Sequence, residues 1–162
     1  MFKFKKPDRE VHTTYLHHTA SRSPEHDTIE WLYNLHVLQN GWSDVAYHYL
    51  IDYDGNILKG RSLETQPAAQ AGFNKGSIAI CVAGIGDSFN DAQLEALKLL
   101  CKTINKAYGG EMVFRGHKEV MSTECPHYDY KALLKLEDSG RIPRKNFFSL
   151  LLSIFKPRNH SL

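Results

Sequence analysis

Ser77-Ile78-Ala79-Ile80-Cys81-Val82-Ala83 is apolar at nearly every position, and this run most limits the folds open to the chain. A strand with one wet face alternates apolar and polar residues, whereas a strand apolar on both sides belongs at the centre of a sheet covered on both faces. The rest of the chain supplies both strands and covering helices. Thr13-Thr14-Tyr15-Leu16-His17 is rich in β-formers, and Ala46 to Tyr53 alternates toward a second strand. Asp54-Gly55 supplies a hairpin turn into Ile57-Leu58-Lys59, and Met112-Val113-Phe114 is a further strand.

Helices fall between them. Ser23-Pro24-Glu25 reads as a helix entry, with Ile29, Leu32, Tyr33, His36 and Val37 at helical spacing and Gly41 closing it. Asn90 is the expected N-cap of a helix reaching about Tyr108, with Leu94, Leu97, Leu100, Cys101 and Ile104 on one stripe. Tyr130 to Glu137 and Asn146 to Phe155 read as shorter helices, and Thr65 to Gly76, with Pro67, Gly72 and Gly76, as a loop. The expected fold class is α/β: a mixed central sheet flanked by helices. At 162 residues a single domain is expected.

Composition removes several function classes. A formal charge of +2 gives no ground for a nucleic-acid partner. Three cysteines cannot all pair, so a disulfide framework is not expected. Cys81 and Cys101 sit in apolar runs and read as small buried hydrophobes. The basic N-terminus, Met1-Phe2-Lys3-Phe4-Lys5-Lys6, is followed by no apolar stretch, so no signal peptide is expected and synthesis is placed in the cytoplasm. No apolar run approaches the ~20 residues that span a bilayer.

Chemistry concentrates elsewhere. His17 ends a β-prone run, and His117 and Cys125 lie eight residues apart in a polar loop that closes on Pro126. Two imidazoles and a thiolate suit one zinc ion, and three protein ligands leave the fourth tetrahedral position open, as in catalytic rather than structural sites. Nine histidines also make such a spacing available by chance. His18 rivals His17, but neighbouring residues on a strand face opposite ways. His26, His36, His127 and His160 read as surface or packing histidines, and Glu119 and Glu124 as solvated loop charges. A thiol hydrolase, with Cys125 as nucleophile and His117 or His127 as base, fits the same residues.

Five segments then occur in order: Tyr15-Leu16-His17-His18-Thr19-Ala20; His36 through Gly41-Trp42-Ser43-Asp44-Val45-Ala46-Tyr47-His48-Tyr49; Gly60-Arg61; Gly72-Phe73-Asn74-Lys75-Gly76-Ser77-Ile78-Ala79-Ile80-Cys81; and Gly116-His117 through Cys125-Pro126. In these segments, over roughly residues 11 to 137, the chain resembles the N-acetylmuramoyl-L-alanine amidase superfamily, which includes short phage amidase endolysins and peptidoglycan recognition proteins. The resemblance implies a zinc hydrolase cutting the amide between N-acetylmuramic acid and L-alanine of peptidoglycan. The alternative on the same fold is a non-catalytic peptidoglycan-binding module, and the presence of Cys125 favours hydrolysis.

By the same resemblance His17, His117 and Cys125 carry Zn²⁺ and Tyr47 is the active-site tyrosine. Thr123 stands where phage amidases usually have Lys, and offers a neutral hydroxyl instead of a charge. Ala69 stands where relatives often have His, so that substrate contact is either missing or supplied by Gln70. His48, Arg61 and Asn74 are candidates to line the substrate groove, Arg61 by pairing a stem-peptide carboxylate or else a surface acid. Trp42 reads as core before sugar platform.

Residues 1–140 are expected to form this zinc amidase domain and residues 141–162 a basic, apolar tail. From Arg141 to Leu162 there are five Arg/Lys residues and no acid, around the apolar run Phe147 to Phe155. Such a helix either docks on the domain or on another copy, or makes a peripheral contact with an anionic membrane.

Overall fold

The computed structural model describes residues 2–144. Five strands form one sheet in the order β3-β2-β4-β1-β5, where β1 is Thr13–His18, β2 Tyr49–Ile51, β3 Ile57–Lys59, β4 Ser77–Val82 and β5 Val113–Gly116. β4 pairs in parallel with β1 and β2, β1 pairs in parallel with β5, and only β3 runs antiparallel, along β2. All six positions of β4 and of β1 are buried, as the unbroken apolar run of β4 requires. The chain is one α/β domain.

Alternation along the strands divides the interior in two. Leu16, Tyr49, Ile51, Ile78, Ile80 and Val82 face α2 (Asp91–Ala107), whose Leu97, Leu100, Cys101 and Ile104 complete the larger core. Leu50, Cys81 and Ala83 face the other way, onto Leu32 of α1 (Ile29–Tyr33) and Val45. That second core is the smaller of the two. α2 is pinned at its start by a capping box: the Asn90 side chain accepts the Gln93 N–H at 3.0 Å and Gln93 Oε1 accepts the Asn90 N–H at 3.2 Å. Gln93 is fully buried and its amide also donates to the Ala83 carbonyl at 2.7 Å, tying the helix entry to the end of β4. A cap of this kind contributes about 1 kcal/mol.

Three expected elements are redrawn. The helix entered at Ser23 is only a 3₁₀ turn, Pro24–His26; the helix proper restarts at Ile29, because Thr28 Oγ1 accepts the Trp31 N–H at 3.1 Å and caps it there. It then widens into π-type turns over Asn34–Gln39 before Gly41 at φ +71°. The strand expected from Ala46 to Tyr53 shrinks to Tyr49–Ile51 since the Asp52 carboxylate takes the backbone N–H groups of Asp54 and Asn56 and starts the turn early. α3 spans Tyr130–Leu134 and stops short of Glu137, where Lys135 turns left-handed at φ +53°.

Arg141 forms a bridge to Val113 at the β5 edge, and Arg141 and Arg144 both pair with Glu111. The expected helix from Asn146 to Phe155, and with it the membrane contact, lies outside the described residues. Among those residues no helix is long and apolar enough to cross a membrane.

Candidate metal centre

The register of β1 builds the site. His17 lies beside Cys81 of β4, and Leu16 beside Gly116 of β5, so the residue that follows each of Leu16 and Gly116 is a histidine at the same edge of the sheet. The rings of His17 and His117 sit 4.6 Å apart between centroids. His117 opens a 3₁₀ turn, His117–Glu119, and the loop folds back until the Lys118 N–H meets the Cys125 carbonyl at 2.8 Å. That bond brings Cys125 Sγ to 3.9 Å from His17 Nδ1. The ligand atoms of His17, His117 and Cys125 all lie within 4.8 Å of one another. His18, one step along β1, is beside Val82 and faces the other side of the sheet, with its ring against His127 and Phe89.

The fit to zinc follows from distances. With Zn–N of 2.0–2.1 Å and Zn–S of 2.3 Å, tetrahedral ligand atoms are about 3.4–3.6 Å apart. The 3.9 Å between Sγ and Nδ1 needs a closure of only a few tenths of an ångström. The trio's protonation states differ. Burial, then the neighbouring His117, pushes the His17 pKa down to about 3, so the ring is neutral at neutral pH. Burial pushes the Cys125 thiol up to about 12, opposed by the His18 backbone N–H and Lys118. A thiol held that high is protonated at neutral pH, so a metal binding there would have to displace its proton.

Tyr47 borders the trio, its ring centroid 5.3 Å from that of His17. Its hydroxyl faces Cys81 beneath the site, and burial, with Cys81 and Cys125 adding, raises its pKa well above the ordinary value. Cys81 is buried as expected, and it is also this hydroxyl's neighbour. Thr123 Oγ1 accepts the Cys125 N–H at 3.2 Å, leaving its own proton free to donate.

The profile of the N-acetylmuramoyl-L-alanine amidase family matches residues 7–128. The chain belongs to that family. It is 32% identical over 133 residues to the endolysin of Enterobacteria phage T3, covering 78% of this chain and 87% of that protein. It is 32% identical over 123 residues to peptidoglycan-recognition protein SC1a of Drosophila melanogaster, covering 68% of this chain and 65% of that protein. The solved Ph2119 endolysin from Thermus scotoductus MAT2119 bacteriophage Ph2119 superposes with a TM-score of 0.71 at 28% identity, covering 82% of this chain and 88% of that one. Amidases of this family are generally zinc-dependent, in keeping with the donor set above.

The remaining expected residues are placed differently. His48 is buried, Nδ1 accepting the Ala79 N–H at 3.0 Å and Nε2 donating to the Thr65 carbonyl at 3.0 Å, so neither nitrogen is left for substrate. The cause is its position: its own N–H continues the ladder onto Ala79, which turns the ring inward. Among the described residues Arg61 pairs with no acid; it donates to the carbonyls of Val45 at 2.7 Å, Gln66 at 3.1 Å and Asp44 at 3.3 Å. Asn74 Oδ1 accepts the N–H groups of Ala69 at 3.2 Å and Gln70 at 3.1 Å. Trp42 is not core: it is 42% exposed and stacks on His36, with ring centroids 4.9 Å apart.

Two residues acquire structural duties that sequence reading missed. Gln70 is fully buried, with Oε1 3.0 Å from His17 Nε2, and so faces the His17 ring instead of substrate. Glu119 is not a solvated charge. Its carboxylate accepts the Gly116 N–H at 3.1 Å and the Tyr130 hydroxyl, and pairs with Arg115 at 3.0 Å. Burial raises its pKa, but Tyr130, Gly116, Lys131 and Arg115 together hold it below the ordinary value. It locks the turn that carries His117. Glu119→Ala is expected to cost about 1.5–3 kcal/mol, the range for hydrogen bonds to a charged group, as measured by urea unfolding.

Proposed function

We propose that the chain hydrolyses the amide joining the lactyl group of N-acetylmuramic acid to L-alanine in peptidoglycan, with one zinc ion held by His17, His117 and Cys125. The convergence of three ligand atoms within 4.8 Å, beside Tyr47, carries this reading. When bound, zinc lowers the pKa of its water to about 7 and polarises the scissile carbonyl. The chain's own groups supply the rest. Tyr47 keeps its proton because its hydroxyl is buried, and Thr123 has a free O–H; both serve as neutral donors to the oxygen on which negative charge develops. Arg61 and Asn74 shape the groove by fixing the loops that wall it, Arg61 through three carbonyls and Asn74 through two N–H groups.

The site of action is cell-wall peptidoglycan, as befits a bacteriolytic enzyme. A binding-only module is the second reading, prompted by the peptidoglycan-recognition relative. Such a module needs the fold and the groove but no thiolate ligand, and Cys125 is present and in place.

Digestion of purified peptidoglycan with products read by mass tests the proposal. Stem peptides with a free L-alanine amine are expected, lost in a strong chelator and restored by added zinc. New reducing sugar ends would indicate a glycosidase, activity surviving the chelator a thiol hydrolase, and binding without release a recognition module; each sinks it.

A further inference from the structure

His17 has two ring nitrogens, and only one can hold the metal. Nδ1 is the atom that faces Cys125 Sγ, so the proton of the neutral ring must sit on Nε2 for the site to work. A chain of buried hydrogen bonds decides where that proton sits. It starts at the Asn74 carbonyl, which can only accept, and which takes the Ser77 hydroxyl proton at 2.8 Å. With its proton committed, Ser77 Oγ must accept from the next member, the Gln70 side chain at 2.8 Å. Only the amide nitrogen can donate, and the Phe73 carbonyl at 3.5 Å draws on the same nitrogen. The amide oxygen is thereby turned toward His17 Nε2, at 3.0 Å. An amide oxygen cannot donate, so Nε2 carries the proton and Nδ1 presents its lone pair.

We propose that Ser77, acting through Gln70, sets the tautomer of His17 and so makes Nδ1 a metal ligand. Both are positioning residues; neither reaches the metal. Gln70 and Ser77 are fully buried and His17 is 1% exposed, so water is not at hand to reverse the order. Asn74 enters twice: its carbonyl sets the direction of the chain, and its side chain holds the Gln70 backbone. Gln is the residue type the arrangement needs, with an acceptor-only end for His17 and a donor-only end for Ser77. Glutamate would satisfy His17 without needing Ser77 at all. A partner on the second nitrogen of a metal-bound histidine typically contributes 10–100-fold to metal affinity.

The role rests on the zinc reading of the site, and two measurements on the full chain separate them. Long-range ¹H–¹⁵N NMR on metal-free protein reports the His17 tautomer directly: Nε2–H is expected in the native chain, and a substantial Nδ1–H population in Ser77→Ala, whose unpinned amide can flip. Zinc titration is expected to show about 10–100-fold weaker binding for Gln70→Leu and a smaller loss for Ser77→Ala. In a Gln70→Glu background Ser77→Ala should change nothing, because a carboxylate has no donor end to misplace. That background also covers the case in which Gln70→Leu fails to fold. Native His17 found as Nδ1–H, or Ser77→Ala weakening zinc equally with Glu at position 70, overturns the proposal. A native chain that shows Nε2–H yet takes up no zinc supports the relay and sinks the metal reading instead.

Discussion

Tyr47→Phe is expected to lower kcat by about 10²–10³-fold, the usual cost of deleting one preorganised donor to a developing oxyanion, while leaving zinc uptake unchanged. The separation follows from geometry. The Tyr47 ring lies 5.3 Å from that of His17 but is not among the converging ligand groups. Its hydroxyl lies near Cys81 and near Cys125 of the trio, and burial pushes its pKa well up. A phenol in that state donates a hydrogen bond and does not act as a base near neutral pH, so the kcat profile should show no new acidic limb when it is removed. Phe keeps the ring contacts with His17 and His36. Release of L-alanine-terminated stem peptides, measured beside zinc content, checks this. A fall of less than tenfold with full zinc occupancy takes Tyr47 out of the reaction.

The second large effect concerns acid. The pKa of His48 is held down to about 4, first by burial, against the raising effect of its bond to the Thr65 carbonyl, with Arg9 and Arg61 lowering it further. In the unfolded chain a histidine titrates near 6.5. The folded value is the lower one, so the stability at stake is fully present above pH 6.5 and is lost as pH falls from there through about 4. A gap of roughly 2.5 units is worth about 3 kcal/mol, a large share of the 5–15 kcal/mol that holds a domain together. The structural cause is visible: a proton on Nδ1 would break its bond to the Ala79 N–H, on the central strand. Urea unfolding at pH 7, 5.5 and 4 in chelator should show the fall. His48→Gln should flatten it by about one proton, or 1.4 kcal/mol per pH unit; an unchanged slope would show that His48 is not the group responsible.

What could be read from the sequence, and what could not, divides along sequence distance. β4 and α2 were legible because each announces itself locally, through an unbroken apolar run and through Asn90 followed by a stripe of apolar residues. α1 was misread at its start because Pro24 is a good first-turn residue, while Thr28, the real cap, lies at no conspicuous break. His17, His117 and Cys125 were singled out through the segments around them, and the parallel register of β1 with β5 brings these residues, a hundred positions apart, together. Gln70 and Glu119 were not. Gln70 meets His17 across 53 positions and Glu119 meets Tyr130 across 11, and nothing in a lone Gln or Glu tells which ring or hydroxyl it will face. His48 was misassigned for a related reason: a polar residue in an alternating run reads as outward-facing until the neighbouring strand shows which of its groups are spoken for.

The small second core beneath β1 has a consequence for how the enzyme is assembled. His17 is secured by strand pairing, by Gln70 and by the Tyr128 hydroxyl on its carbonyl at 3.1 Å, and the His117–Cys125 loop by Glu119 and the Lys118–Cys125 bond. All of these are contacts of protein with protein. Unlike a zinc finger, whose metal supplies the folding energy, a scaffold held by such contacts is expected to form without a metal. On the zinc reading, folding and activity are expected to part company under chelation: the metal-free chain should keep its cooperative unfolding transition while losing peptidoglycan cleavage.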